Sequence, residues 1–217
     1  MVEVFDLSTR RLYLCVPVRE DMAIFLPRVL RGGVDVVQLR EKSLTGPAQL
    51  KQARLIAPIC REFDVPFILN DSPELALEAD CDGVHVGQED VSVERCREIL
   101  GSDAIVGLST HTPSELDDAL RRDVTYLSAG PIVPTPTKLG RAGTGTGYAV
   151  ESQARSPRPV FVTGGVSAAN VGQLVALGLR HFVVVRALTE ASDPELAACD
   201  LRRALDEALS TVSVEPT

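Results

Sequence analysis

Three polar side chains alternate at the end of a short apolar run near the start of the chain. Gln38, Arg40 and Lys42 lie two residues apart in the segment 35–42, DVVQLREK. Residues two apart share one face of an extended strand, so an amide and two cations would point the same way. Arginine can hold a phosphate through two parallel hydrogen bonds, and lysine adds a mobile point charge. The spacing fits a phosphate pocket, and a strand end with solvated charges would show the same spacing.

Two carboxylates, Asp71 and Asp90, follow the ends of two later apolar runs. A pair of hard carboxylate oxygens, completed by water and a substrate phosphate, is how Mg²⁺ is usually held. Aspartate is also favoured as the N-cap of a helix, and a helical pattern follows each of these residues closely. The sequence leaves both roles open, and the two roles are compatible with each other.

Further polar residues follow other apolar runs: Asn70, Ser109, His111, Thr135, Thr137, Lys138 and Gly164–Gly165. The glycine pair could present backbone N–H groups to a phosphate or simply form a tight turn. The segment 143–147, GTGTG, lacks the Gly-Lys-Ser/Thr ending of a phosphate loop, so we expect a mobile lid there. We expect His85 to be a hydrogen-bonded core residue and His181 to be exposed. Three scattered histidines predict no zinc site.

Eight short apolar runs alternate with helical patterns. Strands are predicted at 12–17, 34–40, 66–69, 83–86, 104–108, 124–129, 160–162 and 182–185, and helices at 21–31, 45–63, 73–79, 92–100, 113–120, 168–176 and 194–209. Continuously apolar strands indicate burial on both faces and hence a parallel sheet. We therefore predict an α/β protein with a single compact (β/α)₈ TIM barrel domain over 1–217, in which roughly 211–217 is a disordered tail. An open doubly wound sheet is the alternative, and the absence of GxGxxG after the first run counts against it.

In such a barrel the functional residues gather at the carboxyl ends of the strands, which is where this sequence places its polar residues. The chain has 217 residues, a net charge of -8 and 4% aromatic residues, which argues against nucleic-acid binding. No apolar run approaches the ~18 residues of a membrane span. The five cysteines form no CxxC, so we predict neither disulfides nor zinc; we expect small buried apolar side chains and a reducing, cytoplasmic location.

The motifs VVQLREK, FILND, GVHVGQED, GLSTH, GPIVPTPTK and TGGV occur in this order from residue 36 to residue 166. By these motifs the chain resembles the thiamine-phosphate synthase family, and the similarity runs over nearly the whole chain. The resemblance implies a (β/α)₈ barrel and a Mg²⁺-assisted transferase. The reaction joins a pyrimidine methyl diphosphate to a thiazole phosphate, giving thiamine phosphate and diphosphate.

The resemblance also implies roles for particular residues. The pyrimidine diphosphate would be held by Gln38, Leu39, Arg40, Glu41, Lys42, Asn70, Ser109 and Lys138, of which Arg40, Lys42, Ser109 and Lys138 would be catalytic. The thiazole phosphate would be held by Thr135, Pro136, Thr137, Gly165, Val185 and Arg186, and Mg²⁺ by Asp71 and Asp90. Arg186 stands where many members have serine, and Ser128 stands where glycine is expected.

Three other functions are compatible with such a barrel. A thiazole tautomerase-like relative would not need the full set of metal and diphosphate residues. A sugar-phosphate isomerase or epimerase would need an acid and base pair near a carbonyl. A regulatory barrel would bind the phosphorylated ligand without releasing diphosphate. The sequence leaves the oligomeric state open, including a homo-oligomer.

Overall fold

Strands and helices alternate along the chain. The computed structural model of the protein describes residues 5–44, 46–135 and 142–212. The strands are β1 (Leu12–Val16), β2 (Val36–Leu39), β3 (Phe67–Asn70), β4 (Gly83–Val86), β5 (Ile105–Thr110), β6 (Tyr126–Ala129), β7 (Val160–Val162) and β8 (His181–Val184). The helices are α1 (Met22–Arg31), α2 (Gly46–Glu62), α3 (Pro73–Glu78), α4 (Val93–Leu100), α5 (Pro113–Ala119), α6 (Gly145–Arg155), α7 (Val171–Ala176), α8 (Arg186–Thr189) and α9 (Pro194–Val212).

The eight strands close into one parallel barrel. Each strand pairs with the next along the chain, and β8 pairs back onto β1. Tyr13 shows the closure, because it lies opposite Val36 of β2 on one side and Val183 of β8 on the other. The predicted (β/α)₈ TIM barrel is therefore confirmed, and the open doubly wound sheet is excluded. Whether 1–217 forms one domain stays a prediction.

Apolar residues on the two faces of the strands build two cores. The inward-facing residues form a small core inside the barrel, in which Phe161 packs edge-on against the rings of Tyr13 and Tyr126. The outward-facing residues pack against the surrounding helices. Burial on both faces explains why the strands read as continuous apolar runs in the sequence.

Helices α1 and α9, the first and last long helices, pack together next to the strands at which the barrel closes. α1 buries Met22, Phe25, Leu26 and Val29 on one face, as its periodicity predicts. α9 packs against α1 and α7. A Cβ on Gly32 would lie 2.5 Å from the Cβ of Ala198, so the close approach of α1 and α9 requires glycine there.

The structure corrects several predicted elements. The predicted helices do not include α6 and α8. The first turn of α6 is rich in glycine, and α8 has only four residues, so neither gives a clear helical pattern in the sequence. Gly145–Gly147 form the first turn of α6, so these three residues are helical, and a lid over 143–147 stays a prediction. α7 begins at Val171 and not at 168, and α9 continues to Val212.

Two further expectations concern exposure. His181 is buried, with 5% of its surface accessible, so the prediction that it is exposed is wrong. All five cysteines are free. Cys15, Cys60 and Cys96 are buried as expected, whereas Cys81 is partly buried and Cys199 is exposed. No helix in the described ranges is both long and apolar enough to cross a membrane.

Candidate active site

A cavity of about 920 Å³ opens at the carboxyl ends of the strands. It brings together every predicted site residue that the structure describes except Leu39: Gln38, Arg40, Glu41, Lys42, Asn70, Asp71, Asp90, Ser109, Thr135, Gly165, Val185 and Arg186. Leu39 is fully buried in the outer core between the barrel and the helices, so its side chain does not face the cavity. Pro136, Thr137 and Lys138 lie outside the described residues.

The carboxylates of Asp71 and Asp90 meet at the rim of this cavity. Burial raises the pKa of Asp71, and the hydrogen bond and negative charge of Asp90 raise it further. The N–H of Gly87 donates to Asp90 Oδ2 at 2.8 Å, and Lys42 Nζ lies 3.3 Å from Asp71 Oδ2. Two adjoining acids, one of which raises the pKa of the other, form a site at which a bound cation would be stabilised.

Neither aspartate caps a helix through its side chain. Ser72 occupies the N-cap position of α3 without a side-chain bond. Ser92 caps α4, because its Oγ accepts a hydrogen bond from the N–H of Arg95 at 3.2 Å. Asp71 is instead held in the left-handed region, with φ of 67°, while its N–H donates to the carbonyl of His85 at 2.8 Å. The carboxylates are therefore available to the cavity.

The donor set fits a hard cation that keeps part of its water. Asp71 and Asp90 offer two carboxylates, and no group of three or more His, Cys, Asp or Glu side chains suited to a metal exists within the described part of the chain. Oxygen ligands in this small number suit a cation completed by water and a substrate phosphate, and they do not suit zinc.

The turn after β2 places the predicted cations beside these acids. Gln38 is buried at the end of β2, and Arg40 and Lys42 follow it around the cavity. Glu41 bonds back onto its own turn: Ser43 donates to Glu41 Oε1 from its hydroxyl at 2.6 Å and from its N–H at 3.1 Å. These two bonds lower the pKa of Glu41 and hold its carboxylate within its own turn.

On the opposite side of the cavity, the turn after β7 carries the glycine pair. Gly164 and Gly165 have φ of 103° and 73°, a region that favours glycine. A Cβ on Gly164 would lie 2.7 Å from the N of Ile132, so the tight-turn role holds for this residue. Gly165 lines the cavity together with Arg186, the exposed first residue of α8. The structure thus places a backbone turn and a cation together on this side.

A chain of largely buried polar side chains lines the floor of the cavity. Tyr13 and Tyr126 join through their hydroxyl oxygens at 2.8 Å. Tyr126 Oη then lies 2.8 Å from His85 Nδ1, and His85 Nε2 lies 2.8 Å from Ser109 Oγ. The prediction that His85 is a hydrogen-bonded core residue is confirmed. Neither tyrosine is among the predicted site residues, and the available signal is their inward position two residues before Cys15 and Ser128.

His111 also lines the cavity, and it is tied to the helix that follows it. Its Nδ1 lies 2.9 Å from Glu115 Oε2, and its N–H donates to the same oxygen at 2.7 Å. One carboxylate at the start of α5 therefore orients both the ring and the backbone of His111.

A closed parallel barrel with a polar cavity at the carboxyl ends of its strands defines the class of (β/α)₈ barrel enzymes. A solved structure titled thiamine phosphate pyrophosphorylase from Pyrococcus furiosus superposes with a TM-score of 0.83 at 26% identity, covering 92% of this chain and 96% of that one. The family profile described as thiamine monophosphate synthase matches residues 12–188. The chain belongs to this family.

Individual relatives agree with this assignment. The thiamine-phosphate synthase of Streptomyces avermitilis is 39% identical over 93% of this chain and 96% of its own length. That of Acidothermus cellulolyticus is 40% identical over 90% and 94%. The one from Thermosynechococcus vestitus is 35% identical over 93% of this chain, which spans only 58% of that relative. The predicted family, the predicted thiamine-phosphate synthase function and the predicted transferase class are confirmed.

Proposed function

We propose that this protein joins 4-amino-2-methyl-5-(diphosphooxymethyl)pyrimidine to 4-methyl-5-(2-phosphooxyethyl)thiazole, producing thiamine phosphate and diphosphate. The observation that carries this proposal is the meeting of Arg40 and Lys42 with the Asp71 and Asp90 pair in one cavity. Cations beside a carboxylate pair suit a substrate that brings a diphosphate and a metal together.

The cations act on the leaving group. As the bond between the pyrimidine methylene and its diphosphate oxygen breaks, negative charge accumulates on the diphosphate. The guanidinium of Arg40 and the ammonium of Lys42 stabilise this charge, and fixed charges are worth most where charge develops. Lys138 is proposed to act in the same way, and Gln38, Glu41, Asn70 and Ser109 are proposed to hold the substrate around it.

Asp71 and Asp90 are the residues that would hold Mg²⁺. When bound there, the ion supplies positive charge to the diphosphate oxygens. Without a cation, the charge of Asp90 opposes the ionisation of Asp71, as the raised pKa of Asp71 indicates. Lys42, paired to Asp71, partly offsets that charge.

The new bond requires no nucleophile from the protein. The electron pair of the breaking C–O bond leaves with diphosphate, and the positive charge left on the methylene is delocalised by the aminopyrimidine. The lone pair of the thiazole nitrogen then forms the C–N bond. Thr135, Pro136, Thr137, Gly165, Val185 and Arg186 are proposed to hold the thiazole phosphate so that its nitrogen faces this carbon. A trapped covalent enzyme–pyrimidine adduct would contradict this route.

The setting of the reaction is also part of the proposal. Small phosphorylated substrates, and no nucleic acid, fit a net charge of -8 with a local group of cations. Five free cysteines, one of them exposed, fit a reducing cytoplasm. No membrane attachment is proposed, and the number of subunits is left open.

Diphosphate release tests the proposed function. We expect release that requires both substrates and Mg²⁺, stops with EDTA, and falls at least a hundredfold in Asp90→Asn, by analogy with the loss of one charge-stabilising group in other active sites. Asp103→Asn is the matched control, because Asp103 is an exposed carboxylate before β5, at the opposite end of the barrel. Tight binding of the thiazole phosphate without any release would favour the tautomerase-like or regulatory function.

A further inference from the structure

The buried chain of hydrogen bonds runs across the inside of the barrel and ends at a predicted substrate residue, Ser109. The contacts from Tyr13 through Tyr126 and His85 to Ser109 are each 2.8 Å. Tyr13, Tyr126 and His85 are buried at inward-facing positions. A chain of this kind can hold the hydrogen of each hydroxyl in one direction.

The direction of the chain is set at its buried Tyr13 end. Burial raises the pKa of both tyrosines, so each keeps its proton and has one O–H to donate. Among the described residues, the Tyr13 hydroxyl has one hydrogen-bond partner, the hydroxyl of Tyr126. If Tyr126 were the donor, the O–H of the buried Tyr13 would have no acceptor, so Tyr13 donates to Tyr126.

The same direction continues to the cavity. Tyr126 has accepted from Tyr13, so its O–H donates to His85 Nδ1. A neutral imidazole that accepts at Nδ1 carries its proton at Nε2, which then donates to Ser109 Oγ. Because Ser109 Oγ accepts this bond, its own hydrogen is free to point elsewhere. Ser109 lines the cavity, and Gln88 fixes its backbone by donating to the Ser109 carbonyl at 2.6 Å.

We propose that Tyr13, Tyr126 and His85 are positioning residues that turn the Ser109 hydroxyl hydrogen into the cavity, toward an acceptor atom of the pyrimidine diphosphate. This inference rests on the proposed function for the identity of that substrate. The reverse direction of the same chain would make Ser109 donate to His85 and present only an acceptor to the cavity. The two directions therefore differ in what Ser109 offers to the substrate.

The histidine tautomer can be read directly on the unmodified protein. In ¹⁵N-labelled protein at pH 8 we expect the His85 ring to show an unprotonated, hydrogen-bonded Nδ1 and a protonated Nε2. The signals are assigned by their loss in His85→Gln. A ring protonated at Nδ1 would overturn the proposed direction, and this readout does not depend on the proposed function.

The link to Ser109 is tested by a double-mutant cycle on diphosphate release. Tyr126→Phe removes the donor to His85 Nδ1 and keeps the ring, so we expect kcat/KM for the pyrimidine diphosphate to fall about tenfold, the order expected for one lost hydrogen bond. In a Ser109→Ala background the same change should have no further effect. Tyr148→Phe is the matched control, since Tyr148 donates to the carbonyl of Thr112 outside the chain and should leave kcat/KM unchanged.

An undiminished effect of Tyr126→Phe in the Ser109→Ala background would show that Tyr126 acts through general packing, and it would overturn the proposal. Circular dichroism and thermal unfolding of each variant establish that the barrel is intact. If the unmodified protein releases no diphosphate, the proposed function fails, whereas the tautomer measurement still decides the direction of the chain.

Discussion

At the scale of single residues, the adjoining carboxylates Asp71 and Asp90 give the most direct test of the metal site. Burial and the facing Asp90 both raise the pKa of Asp71. In the absence of a cation, this contact opposes the folded state. A cation that binds only the folded protein would raise its stability by an amount set by concentration and affinity.

We expect Mg²⁺ at ten times its dissociation constant to stabilise the protein by about 1.4 kcal/mol, measured by thermal unfolding with and without EDTA. Asp71→Asn should abolish this response. In EDTA the variant should unfold within about 1 kcal/mol of the unmodified protein, because the lost ion pair with Lys42 is partly exposed and offset by relief of the contact with Asp90. Asp103→Asn should retain the full Mg²⁺ response; an unchanged response in Asp71→Asn would place the ion elsewhere.

Gln38, Arg40 and Lys42 could be predicted from the sequence because their signal is local. They alternate along one short segment, and this alternation is visible without knowledge of the fold. The chain of buried hydrogen bonds has no local signal. Tyr13 and Tyr126 are 113 residues apart and lie on strands that do not pair, so only closure of the barrel brings their hydroxyls together.

At the scale of secondary-structure elements, α6 shows how glycine can hide a helix. Its first turn contains Gly145 and Gly147, and glycine is among the poorest helix formers. The helix forms because Tyr148, Ala149 and Ser152 lie on one buried face. Tertiary packing therefore outweighs local propensity here, which is why the sequence pattern alone predicts a loop.

The two glycines of α6 should respond oppositely to substitution. Gly147 is exposed, and a Cβ there would meet nothing within 4 Å, so Gly147→Ala should stabilise the protein by about 0.5–1 kcal/mol. Gly145 has φ of 76°, and Gly145→Ala should destabilise it by about 1–2 kcal/mol although space is also open there. Urea unfolding of both variants measures the difference. Stabilisation by Gly145→Ala would show that its backbone is not held in the left-handed region.

At the scale of the whole molecule, one polar cluster links several elements at the end of the barrel where the strands begin. Asp35, before β2, accepts hydrogen bonds from the backbone N–H groups of Arg11 and Leu12 and pairs with Arg202 of α9 at 2.8 Å. The imidazole of His181, at the start of β8, lies 2.6 Å from the carbonyl of Arg10. The cluster joins the segment before β1 to both neighbouring strands and to the last helix.

His181 is predicted to be exposed because it precedes a predicted strand. Barrel closure instead turns it inward beside Phe161, with ring centres 5.1 Å apart. The order of residues along a strand predicts which face each side chain occupies. It does not predict that side chains fill the end of the barrel at which the strands begin. The barrel could be predicted from the number of strands. The packing at the end where the strands begin could not, because it depends on contacts between the two ends of the sequence.

The buried His181 should make the stability of the barrel depend on pH. Burial, together with the charges of Arg11 and Arg180, lowers its pKa to about 4, against about 6.5 in the unfolded chain. Between these values the unfolded state binds more protons, so stability is complete above pH 6.5 and falls by about 3 kcal/mol as the pH drops to about 4. His181→Gln, which cannot titrate, should lose less stability over this window. Urea unfolding at pH 7, 6, 5 and 4 measures both proteins, and a constant difference between them at all four values would contradict the assignment.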